Sequence, residues 1–123
     1  MARVLVCDDQ PALRELVRAA LAEGDHEVVG AQDAAESIRL AKELRPDVLI
    51  LDLVLPDRSG LDVLAELRRN SALAATRVIL CTAHKVSLAG DGASGLGVDR
   101  YLPKPFSPRE LAAVVEELVG GRS

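Results

Sequence analysis

Five short apolar runs limit what this chain can fold into: Val4-Leu5-Val6-Cys7, Val28-Val29-Gly30-Ala31, Val48-Leu49-Ile50-Leu51, Val78-Ile79-Leu80-Cys81 and residues 98–102. The middle runs are continuous, without the polar alternation of a strand that faces water on one side. They read as parallel strands covered on both faces. The last run carries Asp99 and Arg100, which suits an edge strand. Between the runs lie segments with a single apolar stripe. Leu13, Leu16, Val17, Ala20 and Leu21 fall at helical spacing, and Leu111, Val114, Val115 and Leu118 repeat it near the C-terminus.

Start and stop signals agree with that alternation. Pro11 suits a first helical turn, and Asp33/Glu36 and Ser59/Asp62 have the spacing of capping boxes. Ser107-Pro108-Arg109-Glu110 offers a cap, a proline at the first helical position and a glutamate at the third. Pro46 closes the second helix and Gly120-Gly121 the last. Strand–helix units spaced roughly 20–30 residues apart predict an α/β fold with a parallel sheet. Five strands are too few for an eight-fold barrel. The expected architecture is a doubly wound, flavodoxin-like sheet of order 2-1-3-4-5 with helices on both faces. One stretch resists: residues 85–97 should form the fourth helix, yet Gly90, Gly92, Gly95 and Gly97 lie in it. Three interior glycines cost roughly 2.5–3 kcal/mol of helix propensity against alanine, so a short, frayed or mobile element is expected.

Charge and composition remove whole classes. Fifteen basic against nineteen acidic residues give a net charge of −4, a poor basis for nucleic-acid binding by this chain. No cluster exceeds Arg68-Arg69, so there is no polybasic membrane patch. No run is long enough to span a bilayer and no signal-peptide pattern opens the chain, which suggests a cytoplasmic protein. Its 123 residues suit a single domain over 1–123. Cys7 and Cys81 each end an apolar run and read as buried small hydrophobes, not as a disulfide or metal pair.

In an open parallel sheet, ligands bind beyond the carboxyl ends of the strands, where the strand order reverses. With the order above that point lies between strands one and three, which end at Asp8-Asp9 and at Asp52. Left bare, three converging carboxylates would repel one another and raise each other's pKa. As an all-oxygen anionic set they suit a hard divalent cation such as Mg²⁺. Strand four ends at Thr82-Ala83, and Lys104 follows strand five between Pro103 and Pro105. Taken singly, each residue has an ordinary structural use, as a helix cap or a solvated side chain. Together they place five polar groups at the ends of four strands on one edge of the sheet.

This set resembles the receiver domain of bacterial response regulators. The resemblance rests on Asp8-Asp9, on Asp52-Leu53-Val54-Leu55-Pro56-Asp57-Arg58-Ser59-Gly60, on Thr82-Ala83 and on Tyr101-Leu102-Pro103-Lys104-Pro105-Phe106, and it covers essentially the whole chain. It implies a phosphorylation-dependent switch of a two-component system, in which Asp52 accepts a phosphoryl group from a sensor histidine kinase or phosphotransfer protein. Asp8, Asp9, Asp52 and the backbone carbonyl of Val54 would hold Mg²⁺. Thr82, beside Ala83, and Lys104 would bind phosphoryl oxygens, and Tyr101 would relay the state to a partner-binding face. The Lys104–Pro105 bond would be cis. Such a domain catalyses only its own phosphorylation and dephosphorylation and is not an enzyme on an external substrate. Output would pass to a downstream protein or to an output domain outside this chain.

Two departures stand out. Val54, two residues after the phosphoacceptor, offers no group to orient an attacking water, and His84 stands two after the switch threonine. A weak fourth helix also bears on the face that it would form with the last strand and last helix, which in the family carries dimer or output contacts. Rival classes fare worse. A small Mg²⁺-dependent hydrolase would want a second carboxylate at position 54, and a flavin-binding flavodoxin would want a hydroxyl- and glycine-rich loop where Asp8-Asp9 stand.

Overall fold

The computed structural model describes residues 2–83 and 97–120. The chain runs β1 (Ala2–Cys7), α1 (Pro11–Ala20), β2 (His26–Ala31), α2 (Ala34–Leu44), β3 (Val48–Leu51) and α3 (Gly60–Arg68). A 3-10 turn (Ser71–Leu73), β4 (Arg77–Thr82), β5 (Arg100–Pro103) and α4 (Pro108–Gly120) follow. The five strands form one parallel sheet in the order β2-β1-β3-β4-β5, the order expected. Residues 84–96, which hold His84 and most of the expected weak helix, lie outside the described residues.

Strand side chains alternate between the two faces, so each central run feeds two cores at once. Leu5, Cys7, Leu49, Leu51, Val78 and Leu80 pack against Ala34, Ile38 and Ala41 of α2 and Val63, Leu64 and Leu67 of α3. Val4, Val6, Val48, Ile50, Ile79 and Cys81 pack against Val17 of α1 and Leu111 and Val115 of α4. This double burial is why β3 is apolar at every position. It also puts the two cysteines on opposite faces; both are free thiols, pushed up to about 12 by burial and therefore inert.

The helix ends follow local chemistry. Pro11 opens α1. Asp33 Oδ1 accepts the Glu36 N–H at 2.8 Å, while the Glu36 side chain reaches back to Gln32 N, one residue short of a full capping box. At α4 the box is complete: Ser107 Oγ takes the Glu110 N–H and Glu110 Oε1 takes the Ser107 N–H, each at 3.0 Å. Ahead of Pro46, α2 stops at Arg45, which turns into the left-handed region with φ 47°. Gly120 is still helical, and Gly121 lies outside the described residues.

The last strand begins later than its apolar pattern suggests, at Arg100 and not at residue 98. The cause is Asp99. Its N–H donates to the Val78 carbonyl at 2.9 Å, while its Oδ2 accepts the Val78 N–H at 2.7 Å. The side chain thus takes the place of the first ladder bond, and regular pairing starts with Arg100 opposite Ile79.

Leu49 sits in the central strand with no exposed surface. Leu49→Ala is expected to cost about 3–4 kcal/mol of unfolding free energy in a urea titration, transfer and cavity costs together. A loss under about 1 kcal/mol would mean that the two-sided core is looser than its burial implies.

Candidate functional site

The sheet delivers its strand ends to one edge, and the chemistry collects there. β1 runs into Asp8 and β3 into Asp52. The Asp8 N–H donates to the Ala31 carbonyl at 3.0 Å and the Asp52 N–H to the Cys7 carbonyl at 3.1 Å, so both residues extend the ladder by one step. Asp8 is 1% exposed and Asp52 8%, whereas Asp9 is open to solvent. Oxygen atoms of Asp8, Asp9 and Asp52 lie within 4.8 Å of one another. That span is about twice the 2.0–2.1 Å bond that Mg²⁺ makes to oxygen, so a hard cation fits the donor set by chemistry and by scale.

Lys104 closes the constellation. Its Nζ donates to Asp8 Oδ2 at 2.7 Å and to Asp52 Oδ2 at 3.0 Å, and the peptide bond to Pro105 is cis. The remaining carboxylate oxygens have their own donors, Gln10 N–H to Asp8 Oδ1 at 2.9 Å and Val54 N–H to Asp52 Oδ1 at 3.2 Å. Arg14 supports the same turn from α1, donating to the Asp8 carbonyl at 2.7 Å.

Burial is the largest influence on Asp52 and carries its pKa above the ordinary carboxylate value; the nearby Asp8 charge adds to the rise, and the hydrogen bonds from Lys104 and Val54 only moderate it. For Lys104, burial pulls the pKa down, but the hydrogen bonds and charges of Asp8 and Asp52 outweigh it and leave the ammonium above its usual value. Lys104 therefore stays charged throughout the neutral range.

An open cleft of about 420 Å³ lies over the cluster, lined by Asp9, Gln10, Asp52, Val54, Leu55, Pro56, Ala83 and Lys104. The Val54 side chain, half exposed at 52%, stands at its mouth. The loop after β3 is folded tightly: Val54 and Ser59 form an antiparallel bridge, and the Gly60 N–H donates to the Leu53 carbonyl at 2.7 Å. Only glycine fits at 60, since a Cβ there would lie 2.2 Å from the main-chain oxygen of Asp52.

Of the residues that the sequence singles out, Asp8, Asp9, Asp52 and Lys104 come together, with Val54 and Ala83 on the cleft wall. Tyr101 lies on β5, half buried against the α2–α3 core, and does not line that cleft. Thr82 ends β4 opposite Pro103; its side chain lies outside the described part of the structure. Arg14 and Asp57 also hold this region, and sequence reasoning passed over both. The Arg14 contact is to a main-chain oxygen, which no motif reveals. Asp57 stands in the stretch from Asp52 to Gly60, but its partners lie 22 and 23 residues earlier.

A buried carboxylate under a fixed ammonium, with two further aspartates and an open cleft, is the arrangement of a phosphoacceptor domain. The family model for the response regulator receiver domain matches residues 4–116, and the chain belongs to that family. The probable transcriptional regulatory protein TcrX of Mycobacterium tuberculosis is 41% identical over 118 residues, covering 94% of this chain and 49% of its own length. The DNA-binding response regulator MtrA of Mycolicibacterium smegmatis is 40% identical, covering 92% of this chain and 48% of its own. The chain thus spans about half the length of the curated relatives it matches. Among solved structures, chemotaxis protein CheY4 of Vibrio cholerae superposes with a TM-score of 0.88 at 28% identity, covering 96% of this chain and 98% of that one. The response regulator TrrA of Thermotoga maritima, solved in complex with Mg²⁺ and BeF, superposes at 0.83 with 34% identity, covering 96% and 99%.

Because its pKa is raised in the folded state, ionised Asp52 weighs against folding. Its contribution is most favourable below the ordinary value of 3.8 and is lost as pH rises through the raised one. Asp52→Asn is therefore expected to raise Tm at pH 7, with the gain vanishing as pH falls below 3.8. A gain of the same size at both pH values would contradict this. Gly60→Ala should cost about 1–3 kcal/mol in urea unfolding, as overpacking against main chain does. A neutral result would mean that the loop moves freely away from Asp52.

Proposed function

We propose that residues 1–123 act as a single receiver domain, switched by transfer of a phosphoryl group to Asp52. The observation that carries this reading is the Lys104 ammonium, within hydrogen-bond distance of both Asp8 and Asp52 beneath an open cleft. In the transfer an Asp52 carboxylate oxygen forms a bond to phosphorus. The bond from phosphorus to the donor breaks, and its electron pair leaves with the donor, an imidazole when the donor is a phosphohistidine. Such a reaction needs in-line placement and charge neutralisation more than covalent help.

The roles divide along the strand ends. Asp8, Asp9, Asp52 and the main-chain carbonyl of Val54 would hold Mg²⁺, which when bound offsets the repulsion between the carboxylate and the phosphoryl oxygens. Lys104 already sits on Asp52 Oδ2 and would pair with a phosphoryl oxygen as it arrives. Thr82 would donate to another oxygen, beside the small Ala83. Pro105 fixes the main chain that carries the lysine. Tyr101, half buried on β5, would pass the change to the outer face.

The phosphoryl donor would be a sensor histidine kinase or a phosphotransfer protein. An apolar groove lined by Leu13, Leu16, Pro105 and Phe106 adjoins Lys104 and suits the docking of a donor helix beside the reactive carboxylate. The recipient would be a downstream protein or an output domain outside these residues. No described helix is long and apolar enough to cross a membrane, and a kinase-fed switch of this kind would work in the cytoplasm.

Intact mass after incubation with acetyl phosphate tests the reading. A Mg²⁺-dependent gain of about 80 Da, one phosphoryl group, is expected for the wild type and not for Asp52→Ala. An equal gain in the mutant would move the acceptor elsewhere. No gain together with no phosphate release would leave the chain without phosphoacceptor activity.

A further inference from the structure

Asp57 stands in the loop between β3 and α3, exposed to solvent, yet both of its carboxylate oxygens are engaged. Oδ1 accepts the Ala34 N–H at 2.8 Å and Oδ2 the Ala35 N–H at 3.0 Å. These are the first two amides of α2, which have no partner inside the helix. The local cap, Asp33, takes the third, the Glu36 N–H at 2.8 Å, and the first intrahelical bond runs from Ser37 N–H to the Asp33 carbonyl at 3.0 Å. Two aspartates thus divide the amino end of α2. One belongs to the helix and the other is supplied from across the sheet edge. Charge-assisted bonds at a helix amino end are the strong kind, and the Ala34 N–H above all, with that of Ala35, holds Asp57 below the ordinary carboxylate pKa.

The consequence falls on Val54. The Val54–Ser59 bridge and the Gly60–Leu53 bond shape the loop, but both are internal to it. Leu55 drops into the core and fixes the depth of the loop without fixing its direction. Asp57 ties its outer half to α2. That helix begins three residues after Ala31, whose carbonyl receives the Asp8 N–H at 3.0 Å. The links close a ring: Asp8 to the end of β2, the end of β2 to α2, α2 to Asp57, the loop back to Asp52, and Lys104 across both aspartates. We infer that Asp57 is a positioning residue of the phosphoacceptor site, setting the loop so that Val54 and Asp52 hold their register with Asp8 for a divalent cation. This rests on the reading of Asp52 and its neighbours given above.

The test compares the wild-type chain of residues 1–123 with Asp57→Ala, Asp57→Asn and Asp33→Ala, titrating each with MgCl₂ by calorimetry and recording amide spectra before any metal is added. Partners behind metal ligands are worth about 10–100-fold in affinity, and the exposure of Asp57 places it lower, so Asp57→Ala is expected to weaken Mg²⁺ binding about 3–10-fold. In the metal-free spectra the Val54 and Gly60 amides should shift. Asp57→Asn keeps one acceptor oxygen for the two amides and should recover part of the loss. Asp33→Ala removes a cap from the same helix without touching the loop. It should lower Tm while leaving Mg²⁺ affinity within about twofold of wild type.

Wild-type affinity retained in Asp57→Ala would overturn the inference, as would a loss in Asp33→Ala equal to that in Asp57→Ala, since helix stability alone would then explain the effect. If Asp57→Ala does not fold, Asp57→Asn against Asp33→Ala decides in the same way. A wild type that takes up no Mg²⁺ overturns the phosphoacceptor reading itself and this inference with it. The wild-type titration tells that failure apart from a failure of Asp57 alone.

Discussion

The ammonium of Lys104, 2.7 Å from Asp8 and 3.0 Å from Asp52, is what allows two nearly buried carboxylates to share one strand edge. At these distances each contact is worth roughly 5 kcal/mol at the effective dielectric of a partly wet site. Taking each ion out of water costs several kcal/mol, so gain and cost come close to cancelling. The cluster therefore contributes little to stability. Its importance lies in balance: a guest that carries opposite charge, whether a cation among the aspartates or a phosphoryl oxygen at the lysine, meets groups already stripped of most of their water.

The two ends of the sheet show why this edge and not the other does chemistry. At the far end Asp47 stands just before β3, but its Oδ2 accepts the Arg3 N–H at 2.8 Å, and Arg3 Nη1 donates to the Leu44 carbonyl. Thr76 is spent on the Pro46 carbonyl, and Asp99 on the Val78 N–H, with Arg77 beside it. There the polar side chains finish main-chain bonding and have structural work alone. At the carboxyl edge one oxygen each of Asp8 and Asp52 likewise takes a main-chain N–H, from Gln10 and Val54, but the other oxygen of each is left to the ammonium of Lys104. The same residue types perform different tasks because a parallel sheet turns all its strand ends the same way.

That polarity also explains what could be read from sequence. Double-sided burial writes β3 as Val48-Leu49-Ile50-Leu51, and the strand is found at those four residues. Lys104 and Asp8 are 96 residues apart, yet strand order brings both to the point where it reverses, so their meeting followed from topology and the motif resemblance. Side chains that stand in for main chain were not legible. Asp99 delays β5 by replacing its first ladder bond, Arg14 reaches a carbonyl, and Asp57 caps a helix from another loop. None leaves a periodicity or a spacing, because each depends on where two separate segments pass each other.

Asp52 and Asp57 stand five residues apart in one loop region, and their environments push them in opposite directions. Asp57, exposed on two helix amides, has its pKa lowered, and Asp52, enclosed by the sheet edge, has its pKa raised toward the neutral form. A carboxylate that gives up solvation and gains only partial compensation is the better nucleophile of the two, since less water must be removed before it reaches phosphorus. The same enclosure bears on how long an acyl phosphate lasts. Val54 covers the approach with an apolar, half-exposed side chain, and it brings no oxygen or nitrogen to steer water onto phosphorus. Water would reach an acyl phosphate on Asp52 through the same cleft, past Asp9, Gln10, Val54 and Ala83.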